Sequence, residues 1–260
     1  MKTKLLAVGL LLVATATSAL SQTIIGAWSM GDDDAGAANG NAVNATLTAS
    51  TGSNLSLAGT GLTYTNTTRP DSSGSLAVQF TGSGSYTIAS NLGMTNNFAM
   101  ETWVNFSSLA STQWVMLVGN GVSSGTGILY DTGFGGRLGL ARSGDNIYFS
   151  TYGLATDTWY HVALVVDENS DASLYFNGSL VTGTPITVGP YASQFSLGDA
   201  QDGHAYLHGI LDDARLFTFA TGTFNPGMLS YPAVPEPSTY ALLAGVLGLG
   251  LAVWRRRRAS

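Results

Sequence analysis

In Trp159–Val166 almost every residue is apolar or aromatic, at odd and even positions alike. A strand with this pattern is buried on both faces, as in the middle of a two-sheet sandwich. The polar residues 167–171 predict a turn, and residues 174–176 predict a second strand. Asn177 and Gly178 then favour a two-residue type I′ hairpin turn, because both positions of that turn take positive φ. The pattern therefore predicts three antiparallel strands.

The other apolar segments are also short and alternating. The pattern of Phe98–Phe106 places Glu101 and Trp103 on one face of a strand. The other face carries Phe98, Met100, Val104 and Phe106. Residues 62–65 predict a weak edge strand. Apolar segments at 76–80 and 86–88 flank T-G-S-G-S, which indicates a hairpin. Further strands are predicted at residues 114–118, 127–130, 137–141 and 146–152.

Residues 207–217 need an irregularity if they are to bury a single face. Leu211 is odd-numbered, whereas Ala214 and Leu216 are even-numbered, so one inward face requires a β-bulge near Asp212 and Asp213. A bulge at this point would turn an aspartate toward a neighbouring loop.

Three segments in order carry a family resemblance. They are F-A-M-E-T-W-V-N-F at Phe98–Phe106, W-Y-H-V-A-L-V-V-D followed by L-Y-F-N-G-S-L-V between residues 159 and 181, and L-H-G-I-L-D-D-A-R-L-F at 207–217. Together they resemble a laminin-G-like (concanavalin A-like) jelly-roll domain over roughly residues 24–230. The resemblance implies an all-β, two-sheet antiparallel jelly-roll sandwich, and we place this domain at residues 22–231.

The composition suits such a sandwich and constrains its chemistry. The chain contains 33 Gly and no Cys, so neither disulfides nor thiol-ligated metals can hold the fold. Between residues 22 and 234 four arginines face fifteen carboxylates, a formal net charge of −11. A body with this charge should repel nucleic acid. It suits either an exported protein or one that binds cations, and solubility alone is the simpler explanation.

The loop after the first apolar segment is rich in Asp, Asn and Gly. Its three consecutive carboxylates repel one another unless water or a cation screens them. The family resemblance implies a calcium ion near such a loop, and hard cations are bound by several oxygens. A solvated turn is the alternative. The hypothetical calcium ligands are Asp32, Asp33, Asp34, Asn39 and Asn41, joined by Asp212 from the expected bulge.

Glu101 beside Trp103 is a candidate sugar-binding pair, since an aromatic face stacks on a pyranose ring; a purely structural role is the alternative. The three histidines are not expected to bind zinc. His204 and His208 lie in a predicted strand, where four residues span about 13 Å. That distance is too wide for two ligands of one zinc ion.

Both ends of the chain carry targeting features. Residues 1–21 combine two lysines, an apolar run at 5–13 and small residues before Ala19 and Ser21, which predicts a secretory signal peptide cut after one of the two. The apolar run is too short for a membrane helix.

At the C-terminal end, residues 232–260 form a separate segment. A proline-rich linker (232–238) precedes an apolar helix (239–254), just long enough to cross a bilayer, and a basic end (255–258). That end, Arg255, Arg256, Arg257 and Arg258, is expected to remain cytoplasmic.

The order V-P-E-P-S-T, apolar helix, R-R-R-R resembles the PEP-CTERM sorting signal of Gram-negative bacteria. The resemblance implies recognition by an exosortase, a membrane enzyme acting near Pro235, Glu236 and Pro237. The chain would then be anchored transiently in the inner membrane before reaching the envelope surface or the exterior. An ordinary C-terminal membrane anchor is the alternative.

These features predict an exported, non-catalytic protein that binds a polysaccharide or surface glycan, or adheres to an extracellular matrix. A glycoside hydrolase of the same fold is one alternative, but retaining enzymes need two carboxyls about 5–5.5 Å apart. Glucanases of this fold typically carry E-x-D-x-x-E, which is absent, and the chain has only Glu101, Glu168 and Glu236. A structural matrix protein without a specific ligand is the other alternative.

Overall fold

The structure is a computed structural model, and it describes residues 22–70, 72, 74–88, 92–119, 125–133, 135–142, 145–148, 153–181, 186–187, 194–199 and 205–231. The predicted signal peptide, the tail from residue 232 and His204 lie outside the described residues. The predicted terminal helices therefore also lie outside them. Within the described part of the chain, no helix is long and apolar enough to cross a membrane.

Seventeen strands occur among the described residues. In chain order they are β1 (Gln22–Trp28), β2 (Thr46–Leu47), β3 (Leu55–Gly59), β4 (Leu62–Thr65), β5 (Ala77–Thr81), β6 (Gly84–Ile88), β7 (Phe98–Phe106), β8 (Gln113–Val118), β9 (Thr126–Asp131), β10 (Arg137–Arg142), β11 (Asp145–Tyr148), β12 (Trp159–Val166), β13 (Asp171–Phe176), β14 (Ser179–Leu180), β15 (Ile186–Thr187), β16 (Phe195–Leu197) and β17 (His208–Phe219).

The strands form two antiparallel sheets that pack face to face, which confirms the predicted sandwich. The nine-stranded sheet has the order β14-β13-β12-β7-β17-β5-β4, with β1 also on β17 and β15 on β13. The eight-stranded sheet has the order β11-β10-β9-β8-β16-β6-β3-β2. Large apolar side chains from both sheets fill the space between them, including Phe80, Phe106 and Leu164 from one sheet and Tyr86 and Phe195 from the other.

The central strands follow the predicted patterns. All residues of β7 are buried, as are all of β12 except the first. Strands β12, β13 and β14 run antiparallel as predicted, and the pairing of Phe176 with Ser179 leaves Asn177 and Gly178 as a two-residue turn. Both turn residues have positive φ, 47° and 74°. The hairpin prediction is therefore confirmed.

The predicted hairpin around T-G-S-G-S is wrong. β5 pairs with β4 and β17 in one sheet, whereas β6 pairs with β3 and β16 in the other. The chain crosses between the sheets here. Gly84 lies against the backbone of Thr60 and the side chain of Leu62, so that a Cβ would collide with both. Gly84 is therefore required by this close approach, and it does not form part of a hairpin turn.

After β17 the chain returns over the outer face of the nine-stranded sheet; we call residues 220–231 the closing segment. A short 3₁₀ helix, Pro226–Met228, begins at Asn225, whose side chain accepts a hydrogen bond from Gly227 N at 2.7 Å. Met228 and Leu229 pack with apolar side chains of β7, β12, β13 and β17. The outer face is therefore partly buried, and the candidate site lies at the edge of this cover.

Candidate functional site

A β-bulge in β17 organises the outer face. The register between β17 and β7 shifts between Asp212 and Arg215, and Asp213 has a φ of 48°. Leu211, Ala214 and Leu216 all face the core, as the sequence pattern required. The predicted bulge is therefore confirmed, and Asp212 and Arg215 lie opposite Trp103 and Glu101 of β7.

Glu101 is almost completely enclosed, with 1% of its surface exposed. Its carboxylate accepts hydrogen bonds from His161 Nε2 at 2.9 Å and from Arg215 Nε at 2.5 Å. Two more come from Ser230, through its backbone N at 2.9 Å and its Oγ at 2.8 Å. Burial acts to raise the pKa of Glu101, but the His161 hydrogen bond and the charges of His161 and Arg215 outweigh it, so the pKa is lowered.

Trp103 lies under the end of the closing segment. Tyr231 stacks on its ring with a centroid separation of 5.5 Å, and the guanidinium of Arg69 lies 5.5 Å from the same ring. His161 contacts both aromatic rings, at 5.4 Å from Trp103 and 5.5 Å from Tyr231. Glu101 and Trp103 therefore share a face as predicted, but a sugar could reach them only if the closing segment moved.

Arg69 fixes the two aspartates of the bulge. Its backbone N donates to Asp212 Oδ2 at 2.9 Å, and its Nε donates to Asp213 Oδ2 at 2.6 Å. Asp212 is fully buried, and neither its Oδ1 nor Trp103 Nε1 has a hydrogen-bond partner among the described residues. Burial is the main cause that raises the pKa of Asp212 to about 7.

A cleft of about 180 Å³ opens beside this cluster, between the end of β1, the bulge and the closing segment. Ala27, Trp28 and Ala214 also line the cleft, but the side chains of Trp28 and Ala214 belong to the core and are each 2% exposed. The arginine and aspartate side chains of the lining are partly accessible. The polar side chains that line the cleft are Ser29, Ser50, Arg69, Asp213, Arg215 and Ser230.

The structure does not gather the six predicted calcium ligands into one cluster. Asp32 Oδ1 accepts from Ser75 N at 2.8 Å, from Ser75 Oγ and from Leu76 N. Asp33 Oδ2 accepts from Ser29 Oγ at 2.8 Å. The first two carboxylates of the acidic loop therefore already have different donors.

The other predicted ligands of the acidic loop also have their own hydrogen-bond partners. Asp34 is buried and accepts from Thr48 N at 2.7 Å and from Tyr64 Oη at 2.6 Å. Asn39 Oδ1 accepts from Asn66 N, and Asn41 bonds to Tyr64 through its backbone. Among the residues with described positions, no group of three or more His, Asp or Glu side chains is placed to hold a metal ion.

Backbone N–H groups bond to two of the predicted calcium ligands. The loop between β4 and β5 presents the backbone N of Arg69 to Asp212 and the backbone N atoms of Ser75 and Leu76 to Asp32. The two carboxylates therefore bind the same loop. The sequence of this loop contains few apolar residues and did not indicate that it would bind them.

Of the two described histidines, His161 belongs to the Glu101 cluster, while His208 packs against Gly82 at the other end of β17. Sequence reasoning missed His161, Arg215, Ser230 and Tyr231 as neighbours of Glu101. Arg215 lies directly opposite Glu101 in the β17–β7 register. The available signal for this partner was the opposite charge of Arg215, together with the alternating pattern of its strand, which is like that of β7.

The two antiparallel sheets, packed face to face, define a jelly-roll sandwich. The chain belongs to the concanavalin A-like lectin/glucanases superfamily, whose family model matches residues 80–222. A second model, that of the PEP-CTERM protein-sorting motif, matches residues 233–258. Both resemblances seen in the sequence are therefore confirmed. Among curated proteins, no sequence matches this chain.

Solved structures share the fold at low sequence identity. Domain 4 of AbnA, a GH43 extracellular arabinanase from Geobacillus stearothermophilus in complex with arabinotriose, matches with a TM-score of 0.58 and 19% identity, over 79% of this chain and 96% of that domain. Trypanosoma rangeli sialidase in complex with sialic acid matches with a TM-score of 0.53 and 14% identity, over 78% of this chain and 31% of the sialidase. The botulinum neurotoxin serotype G binding domain matches with a TM-score of 0.51 and 15% identity, over 79% and 49% of the two chains. These likenesses show the fold.

Proposed function

We propose that this protein is an exported, non-catalytic carbohydrate-binding protein of the cell envelope, whose tail is recognised by an exosortase. The observation that carries the proposal is the cleft beside the closing segment. It combines donors (Arg69 and Arg215), an acceptor (Asp213) and serine hydroxyls. Sugar hydroxyls both donate and accept hydrogen bonds, so a lining with both kinds of group suits them.

The size and charge of the cleft favour a neutral sugar unit. Its volume, about 180 Å³, lies below the range of about 300–1,000 Å³ typical of sites for drug-sized ligands. Each arginine is already paired, Arg69 with Asp213 and Arg215 with Glu101, so the lining carries little net charge. The arabinanase domain that shares the fold is described in complex with arabinotriose, which supports a saccharide as the ligand class.

A catalytic role for Glu101 has little support. A nucleophile must contact the substrate, but this carboxylate is 1% exposed and accepts hydrogen bonds from His161, Arg215 and Ser230. A general acid needs a raised pKa, whereas that of Glu101 is lowered. We therefore assign the side chain a structural task.

The test is a glycan-array screen of the full chain in detergent, followed by titration of the best neutral oligosaccharide. We expect Arg69→Gln to weaken binding about tenfold or more, since it removes a charged donor from the cleft. Arg137→Gln is the matched control, because it removes the same charge from β10 of the opposite sheet. Absence of glycan binding, or an equal loss in both variants, would contradict the proposal.

A glycoside hydrolase is the second candidate, and one observation favours it. Glu101 and Asp212 lie on neighbouring strands of one face, with the pKa of one lowered and that of the other raised to about 7. Pairs of carboxyls with separated pKa values are typical of acid/base catalysis. Both are buried, so hydrolysis would require the closing segment to lift. Oligosaccharide cleavage by the wild type that is lost in both Glu101→Gln and Asp212→Asn would establish this alternative.

Calcium at the acidic loop is a separate part of the proposal. Asp33 is exposed and its carboxylate accepts a hydrogen bond from Ser29 Oγ, so one carboxylate of the acidic loop is accessible to a cation from solvent. A cation that binds only the folded state would raise the melting temperature by mass action. Equal melting temperatures in chelator and in millimolar calcium would count against the site.

A further inference from the structure

We propose that Glu101 is a positioning residue for the C-terminal end of the domain. It holds the closing segment on the nine-stranded sheet and thereby fixes Tyr231 as the point from which the sorting tail leaves. This role concerns the junction between domain and tail, and it is independent of any ligand in the cleft.

The hydrogen bonds of Glu101 converge on the last residues of the closing segment. Ser230 donates twice, through its backbone N and its Oγ. Arg215 bonds to Glu101 and also donates from Nη2 to the carbonyl of Met228. One enclosed carboxylate therefore holds residues 228 and 230 at once, directly and through an arginine.

An aromatic slot holds the residue that follows. The ring of Tyr231 lies against Trp103 and His161, with centroid separations of 5.5 Å to each. It also covers Gly178 of the β13–β14 turn, where an added Cβ would lie 2.5 Å from Tyr231 Cδ1. Because His161 contacts both Tyr231 and Glu101, the aromatic slot and the carboxylate belong to one cluster of contacting side chains.

Packing alone would not require a carboxylate at this position. Met228 and Leu229 already bury apolar surface against β7 and β17. A buried charge is costly unless it is paired, and apolar residues of similar volume often serve a core as well or better. The charge lies under the last residues before the tail. Hydrogen bonds fix the orientation of these residues, which apolar packing alone would not do.

The anchor determines how far the tail can reach. The sorting motif begins at residue 233, two residues beyond Tyr231. At about 3.3–3.6 Å per extended residue, Glu236 lies at most about 18 Å from Tyr231. If the closing segment were lifted from the sheet, the last fixed residue would be near residue 220. The greatest distance from that residue to Glu236 would then be about 55 Å. The anchor therefore keeps the folded domain close to whatever binds the motif.

The test is amide hydrogen exchange on the full chain in detergent, with Glu101→Gln compared with the wild type. We expect exchange in peptides covering residues 226–231 to rise about tenfold or more, because Gln keeps the shape but loses the charge-assisted bonds. Exchange in β12 and β13 should change less than about twofold, since local opening need not involve the whole sheet. Glu168→Gln makes the same chemical change at an exposed turn and should match the wild type.

A second variant removes the aromatic part of the anchor. Tyr231→Ala should raise exchange in the same peptides, whereas Tyr206→Ala, at another half-buried tyrosine, should not. Unchanged exchange at residues 226–231 in Glu101→Gln would overturn the proposal. A rise spread equally over both sheets would also overturn it, because Glu101 would then be an ordinary core residue.

Discussion

Asp212 is a carboxyl group that the fold keeps protonated at mildly acidic pH. It is fully buried, and only one of its oxygens has a hydrogen-bond donor among the described residues, the backbone N of Arg69. Burial is the largest effect on its pKa, and the charges of Asp213 and Asp32 add to it, against the opposing influence of Arg69. The result is a pKa of about 7 in place of 3.8.

This raised pKa makes the stability of the domain depend on pH. Between pH 4 and pH 7 the unfolded chain releases the proton that the folded protein keeps, so the free energy of unfolding falls as pH rises through this window. Above pH 7 the full penalty is present, up to about 4 kcal/mol at about 1.4 kcal/mol per pKa unit. Asp212→Asn does not titrate and should lack this decline.

Urea denaturation of both proteins from pH 4 to pH 8 measures the difference. We expect Asp212→Asn to gain stability relative to the wild type as pH rises, with most of the gain below pH 7. Glu168→Gln is the control, because it removes an exposed carboxyl that has no part in the pKa shift of Asp212. Parallel stability curves for wild type and Asp212→Asn would show that Asp212 is ionised in the fold.

At the scale of the element, the sequence pattern predicted those structural features that are determined within a single segment of the chain. The two-face burial of β12, the Asn177–Gly178 turn and the bulge of β17 follow from residues within a few positions of one another. The hairpin at Thr81–Ser85 was predicted wrongly because a turn between two strands and a crossing between two sheets have the same sequence signals. Strand order decides between them, and alternation does not reveal strand order.

The same limit applies to the candidate site. The shared face of Glu101 and Trp103 follows from alternation in β7 alone. Their partners come from distant parts of the chain: His161, Arg215 and Ser230 are 60, 114 and 129 residues from Glu101. Only the assembled sheet and the path of the closing segment bring these groups together, so the anchor could not be predicted from the sequence.

The β13–β14 turn offers a test of how tightly this element supports Tyr231. Gly178→Ala should destabilise the domain in two ways. The residue has a φ of 74°, which costs a residue with a Cβ about 1–2 kcal/mol, and the new methyl group would press on the Tyr231 ring, at a typical overpacking cost of about 1–3 kcal/mol. We expect a drop in the free energy of unfolding of about 2–5 kcal/mol.

A second glycine separates the two effects. Gly36 has a φ of 76° but nothing within 4 Å of an added Cβ, so Gly36→Ala should show the backbone cost alone. In a double-mutant cycle, Tyr231→Ala should remove part of the cost of Gly178→Ala, and thermal or urea melts supply the four values. If Gly36→Ala and Gly178→Ala cost the same, the contact between the turn and Tyr231 contributes nothing.

At the scale of the whole molecule, a concanavalin A-like sandwich is followed directly by a sorting motif. Residues 22–234 carry a formal charge of −11, while four arginines, Arg255 to Arg258, end the tail. The motif matches residues 233–258, so the domain, its anchor and the motif follow one another with almost no spacer. The net charge of the chain therefore depends on whether the tail is kept.

We expect the tail to be processed, so that residence in the membrane is temporary. The sequence places Pro235, Glu236 and Pro237 immediately before an apolar run that is only just long enough to cross a bilayer. A permanent anchor would need no such triplet and would be held more firmly by a longer helix. The three prolines of the linker favour an extended chain, which suits an enzyme that must take hold of a short strand-like substrate.

Removal of the tail would take away the arginines and the membrane attachment together and leave an acidic domain at the envelope surface or in the medium. The anchor at Glu101 should remain intact, since it lies on the domain side of the motif. Mass spectrometry of the protein recovered from cell surface and medium decides the matter: we expect a C-terminus near the Pro235–Pro237 triplet. Recovery of an intact C-terminal peptide through Arg255 in surface material would show that the tail is a permanent anchor.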